Sequence, residues 1–277
     1  MKILITGAQG MLGQAIGQAL TDHEVVAVSK KDFDLTCPHE MDRTLRNLRP
    51  DYVINCAAYT AVDLAEKEKE KSIAVNGSGV EKLAQICNQY NSTLIHFSTD
   101  YVFNGSAIQP YTTDATVDPI NAYGYSKLIG EKAITRISGK FYVFRISWLY
   151  APHGKNFFRW VAESEQSELS IVDTQTGSPT SALSVADFVR HLVSNDPEHY
   201  GIYHFTNTGE WTWYAFAKAI NEKLNLNKRI SAVSEFKTAA KRPEYSVMDT
   251  SRTSQVFNYT IRTIDEALDK VVSHYKN

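Results

Sequence analysis

Cysteine is scarce and carries no pattern. Cys37, Cys56 and Cys87 are three in 277 residues. They lie far apart and form no C-x-x-C pair, which excludes a disulfide framework and a thiolate zinc site and fits a reducing compartment. A long apolar run is also missing. The run Ile3-Leu4-Ile5 is far too short for a signal peptide or a membrane helix, so the cytoplasm is the expected location and no membrane partner is expected. Charge of one sign is missing too. Lys and Arg number 29 against 31 Asp and Glu, a net charge of −2. That offers no nucleic-acid surface, and an acidic ligand must be met by locally placed cations. The eight histidines show no ligand spacing, so no metal site is expected. Internal repeats and low-complexity tracts are absent.

What is present is a regular alternation. Short apolar runs at Lys2–Thr6, Glu24–Val28, Tyr52–Cys56, Thr93–Ser98 and Phe141–Ser147 read as strands covered on both faces. Between them the apolar residues follow helical spacing, as in Leu12, Ile16 and Leu20, or Val80, Leu83, Ala84 and Cys87. Strand alternating with helix predicts an α/β fold with a doubly wound parallel sheet. After Tyr150 the texture changes to turn-rich pieces, isolated strands such as Gly201–Thr206, and clustered aromatics (Trp211, Trp213, Tyr214, Phe216). A smaller mixed α/β region is expected there. The boundary is drawn as residues 1–150 and 151–277, with the chain free to cross it more than once.

Chemistry is read from three places. Gly7-Ala8-Gln9-Gly10-Met11-Leu12-Gly13 follows the first strand and opens a helix. Glycines there let the turn close and let backbone approach a pyrophosphate, which the helix N-terminus would bind. A tight turn without a ligand is the bland alternative. At the end of the second strand, Ser29-Lys30-Lys31 suits the 2′-phosphate of NADP better than a bare ribose. Asp32 nearby keeps NADH open, and a solvated loop is the competing reading. Asp34-Leu35 is placed for an adenine edge. Tyr123 and Lys127 stand at i and i+4 after Asn121, so they share a helix face. An ammonium beside a phenol is expected to bring its pKa down toward neutrality. Thr99, closing a strand, is placed to donate to a substrate carbonyl, with Asp100 beside it. Tyr125 is a decoy, since its +4 neighbour is Ile129.

Together these motifs resemble the extended short-chain dehydrogenase/reductase family, whose nucleotide-binding part is a Rossmann-type fold. Finer segments resemble the dTDP-4-dehydrorhamnose reductases within it. These are Asn55-Cys56-Ala57-Ala58-Tyr59-Thr60-Ala61-Val62-Asp63, Ser98 through Gly105, Asn121-Ala122-Tyr123-Gly124, Phe144 through Tyr150, Gly177-Ser178-Pro179-Thr180, and Lys241-Arg242-Pro243 with Ser246 and Asp249. The resemblance spans essentially the whole chain. It implies NADPH-dependent reduction of a nucleotide-sugar ketone at C4. Tyr123 would be the proton donor, Lys127 its partner and ribose ligand, and Thr99 the carbonyl polariser. Gly7, Gly10, Met11, Leu12, Gly13, Ser29, Lys30, Asp34, Leu35, Ala57, Ala58 and Tyr59 would hold the cofactor. Thr60, Val62, Asp100, Trp148 and Arg242 would face the substrate.

Two departures stand out. Threonine replaces the family's usual aspartate in Asp173-Thr174-Gln175-Thr176-Gly177. Ala15 stands where some members carry an acidic residue that helps bind a metal at a dimer contact, so no such metal is expected and a homodimer stays open. Competing readings are a nucleotide-sugar epimerase and a non-catalytic NADP-binding regulatory subunit like that of methionine adenosyltransferase. A dehydratase is disfavoured because Thr99-Asp100 is followed by Tyr101 and not by an acid. His96 is expected to be a buried, hydrogen-bonded histidine. Trp211 and Trp213 are expected in core packing, and Glu66 through Lys71 on a solvated face.

Overall fold

The computed structural model describes residues 1–137 and 139–276. Five strands form where the apolar runs predict them: β1 (Lys2–Thr6), β2 (Glu24–Val28), β3 (Tyr52–Asn55), β4 (Thr93–Thr99) and β5 (Phe141–Ile146). A sixth, β6 (Gly201–His204), completes one parallel sheet in the order β6-β5-β4-β3-β1-β2. The expectation of an isolated strand near residue 201 is therefore wrong. Gly201, Ile202, Tyr203 and His204 pair in parallel with Tyr142 through Arg145. The strand is four residues long, and its turn-rich flanks hide its partner from local pattern.

Alternation along the strands explains the layers. Ile3 and Ile5 face a core shared with α1 (Met11–Ala19) and with the helix Ala182–Asn195. Leu4 and Val53 face the other side, against Leu83, Ala84 and Cys87 of the helix Val80–Gln89. Both faces are covered, as an all-parallel sheet requires. The helix Ala182–Asn195 and the strand Gly201–His204 thus lie in the layers of the main sheet. A separate core gathers Tyr150, Phe158, Leu169, Ile171, Phe216 and Leu268, beneath a parallel pair made by Glu168–Val172 and Arg229–Val233.

The strand order reverses between β1 and β3: the chain leaves β1 toward β2 and then returns to the opposite side. A crevice opens at the carboxyl ends of the strands at such a point. Among the described residues no helix is long and apolar enough to cross a membrane.

Candidate active site

A cleft of about 700 Å³ lies at that crevice. Its floor is the glycine loop. Gly7 adopts φ +63°, and a Cβ there would stand 2.6 Å from the Ala57 nitrogen. A side chain is excluded on both counts. Gly10 precedes α1, which has no side-chain cap and no acid in its first turn. Its free N–H groups are left for an anion. Gly13 does not line the cleft. A Cβ on it would stand 2.5 Å from the Gly7 carbonyl oxygen, so its smallness lets the helix sit on the turn.

The loop after β3 forms the opposite wall, and its shape is held from below. Asn55 Oδ1 accepts from Thr6 Oγ1 at 2.6 Å and from the Ala57 amide at 3.2 Å. Asn76 holds both backbone groups of Tyr59, at 2.9 Å each, and donates to Ser126 Oγ at 3.0 Å. Asn76 lies in a π-helical segment, Ala74–Gly79, that precedes the helix Val80–Gln89. The wider turn of a π segment re-aims a side chain that an α-helix would direct elsewhere. No simple periodicity announces such a segment, so Asn76 escapes sequence reasoning.

Ser29, Lys30, Asp34 and Leu35 line the far end. The Ser29 hydroxyl donates to Asp32 at 2.7 Å. Asp34 accepts from the Thr36 amide and hydroxyl, each at 2.8 Å. Burial raises its pKa, but those hydrogen bonds and Lys30 outweigh it and hold the carboxyl below its usual range. Lys30 is largely exposed, 3.8 Å from Asp34.

The third wall carries the residues read as acid–base candidates. Thr99 closes β4, and Tyr123 and Lys127 come from the helix Ala122–Ile137. Asn121 caps that helix by accepting from the Gly124 amide at 2.8 Å, as an asparagine at this position does. All three residues line the cleft with Asp100, Thr60, Val62 and Trp148. Tyr125 is half-exposed and outside it.

The electrostatics differ from expectation. Burial first, and the Asp100 charge second, push the Tyr123 phenol up, while the nearby Thr99 hydroxyl opposes the rise. Lys127 does not bring the phenol down. Its amine donates to the Phe97 carbonyl at 2.6 Å and meets His96 Nε2 at 3.3 Å. A backbone acceptor at the base of the cleft competes with the phenol for that nitrogen. Burial draws Lys127 down to about 8, against the charge of Glu131. The Thr99 hydroxyl donates to Asp100 Oδ1 at 3.0 Å, and Asp100 Oδ2 is buried without a hydrogen-bond partner. Burial pushes that carboxyl up to about 7.

Arg242 does not line the cleft. Its guanidinium pairs with Asp63 at 2.8 Å, a carboxylate next in sequence to Val62 of the cleft wall. Trp213 packs against the second core as expected and also lines the cleft, where it stacks on Trp148 with centroids 3.6 Å apart and planes 5° from parallel. Trp148 holds φ +47°, and a Cβ on Gly177 would stand 2.6 Å from its ring. The two indoles meet across 65 residues of sequence, beyond the reach of local spacing. His96 is buried and hydrogen-bonded, as read. The segment Glu66–Lys71 is not simply solvated. Glu66 accepts from the Ala122 amide at 2.8 Å, Glu68 accepts from the Tyr59 hydroxyl at 3.0 Å, and Lys71 lines the cleft.

The family model described as RmlD substrate binding domain matches residues 1–277. The chain is 38% identical to dTDP-4-dehydrorhamnose reductase of Escherichia coli K12, over 93% of this chain and 92% of that one. A crystal structure of a dTDP-4-dehydrorhamnose reductase from Clostridium acetobutylicum superposes with a TM-score of 0.96 at 34% identity, covering all of both chains. The Bacillus anthracis enzyme, solved in complex with NADP, gives a TM-score of 0.93 at 33% identity over 99% of each chain. With a family model matched from end to end and relatives of this kind, the chain belongs to the dTDP-4-dehydrorhamnose reductase family.

Proposed function

We propose that this chain reduces the C4 ketone of dTDP-4-dehydro-β-L-rhamnose to dTDP-β-L-rhamnose with NADPH, in the cytoplasm. The observation that carries this reading is one cleft shared by a bare helix N-terminus and by Thr99, Tyr123 and Lys127. The residues present fit a dinucleotide. Gly7 and Gly10 leave backbone open to a pyrophosphate, Ala57 and Ala58 leave room for a flat ring, and Lys30 is placed for a 2′-phosphate. When bound, NADPH supplies the hydride.

The remaining work falls to side chains of this protein. Tyr123, kept protonated by burial, gives its proton to the sugar oxygen at C4. A raised phenol suits this direction of reaction, since the group must arrive carrying its proton. Thr99, in the same cleft, polarises the ketone. Lys127 leaves the Phe97 carbonyl to hold ribose hydroxyls, and its charge then assists the phenolate that forms. Trp148, fixed by Trp213 and Gly177, closes the sugar end of the cleft. Residues 1–150 hold the cofactor, and residues 151–277 mainly the nucleotide-sugar, with the stretch 182–204 returned to the sheet.

Mixing the protein with NADPH and the 4-keto sugar nucleotide, made in place by the preceding epimerase, tests the reading. NADPH absorbance is expected to fall mole for mole with sugar. Tyr123→Phe is expected to lower kcat by roughly 10²–10⁴, the range for loss of a positioned acid. NADPH that binds and is never consumed would instead support an epimerase or a regulatory subunit.

A further inference from the structure

Beneath the cleft, Thr6, Asn55, His96 and Lys127 form a buried row of hydrogen bonds whose directions can be worked out from one end. The Ala57 amide can only donate, and it points at Asn55 Oδ1 at 3.2 Å. Thr6 Oγ1 lies 2.6 Å from the same oxygen. The other end of the Asn55 amide, its NH2, therefore faces His96 Nδ1 at 3.0 Å. An amide NH2 has no lone pair to offer, so Nδ1 must accept and carries no proton. His96 is fully buried, and burial holds it neutral. A neutral imidazole with a bare Nδ1 carries its proton on Nε2. That Nε2–H faces Lys127 Nζ at 3.3 Å.

An N–H facing an ammonium is donor against donor. An N–H facing an amine lone pair is a hydrogen bond. The same nitrogen still donates to the Phe97 carbonyl at 2.6 Å, which an amine does as well as an ammonium. We propose that His96 is a positioning residue that holds Lys127 as an uncharged amine against the base of the cleft until the dinucleotide draws it away. Lys127 then takes a proton from solvent as it turns to the ribose.

The ionisable groups around the amine agree with this. Glu131, one turn along the same helix, favours the ammonium, but it is already matched by Arg145 of β5 at 2.8 Å, with both side chains buried. His96 on β4 supplies no charge. Tyr123 on the same helix stays protonated, and Asp100, beyond the end of β4, has its hydrogen bond from Thr99.

The proposal rests on the reductase reading only for the identity of the dinucleotide, so its two measurements use the resting protein and NADPH binding, without turnover. In the ligand-free protein, ¹⁵N NMR of the histidine side chains is expected to show His96 neutral, with an unprotonated Nδ1 and a protonated Nε2. The opposite tautomer overturns the proposal. Calorimetry of NADPH binding above pH 8, in buffers of different ionisation enthalpy, is expected to show uptake of about one proton, the linkage signature of a group charged only in the complex. His96→Phe removes the Nε2 donor that steadies the amine, so the uptake is expected to shrink. Lys127→Met is expected to lack it altogether. Uptake that persists unchanged in His96→Phe, or that is absent from the wild type, contradicts the proposal. Loss of NADPH turnover with the tautomer and the uptake intact would count against the reductase reading alone.

Discussion

Asp100 shows how a single buried side chain sets a pH dependence. Its carboxyl titrates at about 7 in the folded protein against 3.8 as a free group, because burial disfavours its charge. A folded pKa above the unfolded one means that the native state holds the proton more tightly. The stability this contributes is full below about pH 4 and is lost as pH rises through about 7. Asp100→Asn stays neutral throughout. Relative to wild type, the variant is therefore expected to gain thermal stability between about pH 5 and pH 8, by an amount of order a few kcal/mol. Melting curves taken at both ends of that range check it, and a pH-independent difference would refute the assignment. The substituted amide keeps an oxygen that can accept from the Thr99 hydroxyl, so that hydrogen bond is expected to survive alongside the stability gain.

At the scale of elements, the pair Glu131–Arg145 joins the helix Ala122–Ile137 to β5. It makes three close contacts, of 2.8, 3.0 and 3.2 Å, in full burial. Removing one partner strands the other's charge, a cost of about 3–5 kcal/mol. Glu131→Gln is expected to lose that much in denaturant unfolding. Replacing both partners by apolar residues of similar volume is expected to recover most of it.

Elements are also the scale at which the sequence is most legible. Each of the first five strands reads directly from apolar runs bounded by turns, because burial on both faces leaves an uninterrupted apolar signal. The glycine loop and the Tyr123–Lys127 pair read from local geometry, three-residue and four-residue spacings that one turn of chain enforces. What stays hidden is contact between distant elements. β6 acquires its place from Tyr142–Arg145, and Trp213 meets Trp148 only after the chain has closed. Asn76 braces the cleft wall at Tyr59 from a π segment. Lys127 turns to Phe97 and His96, whose positions no spacing within the helix reveals. Arg242 looks like a free phosphate ligand until Asp63 is seen beside it.

For the whole molecule, the cleft links the sheet's switch point to the second core, so a ligand spanning it should stabilise both. NADPH at about 100 times its Kd is expected to add about 2.7 kcal/mol to unfolding stability. NADH is expected to add less, because Lys30 has no 2′-phosphate to meet. Lys30→Glu is expected to narrow or reverse that difference in thermal-shift measurements, and an unchanged preference would remove Lys30 from cofactor selection. The central claim is that hydride leaves the cofactor for C4 of the sugar. The most direct test is to run the reaction with NADPH carrying deuterium at the transferable C4 position of its nicotinamide and to locate the label in the sugar product by NMR. Deuterium at C4 of the deoxysugar, with one NADP formed per sugar, is the result predicted here. A product without deuterium, or an altered sugar formed while NADPH remains, would contradict it.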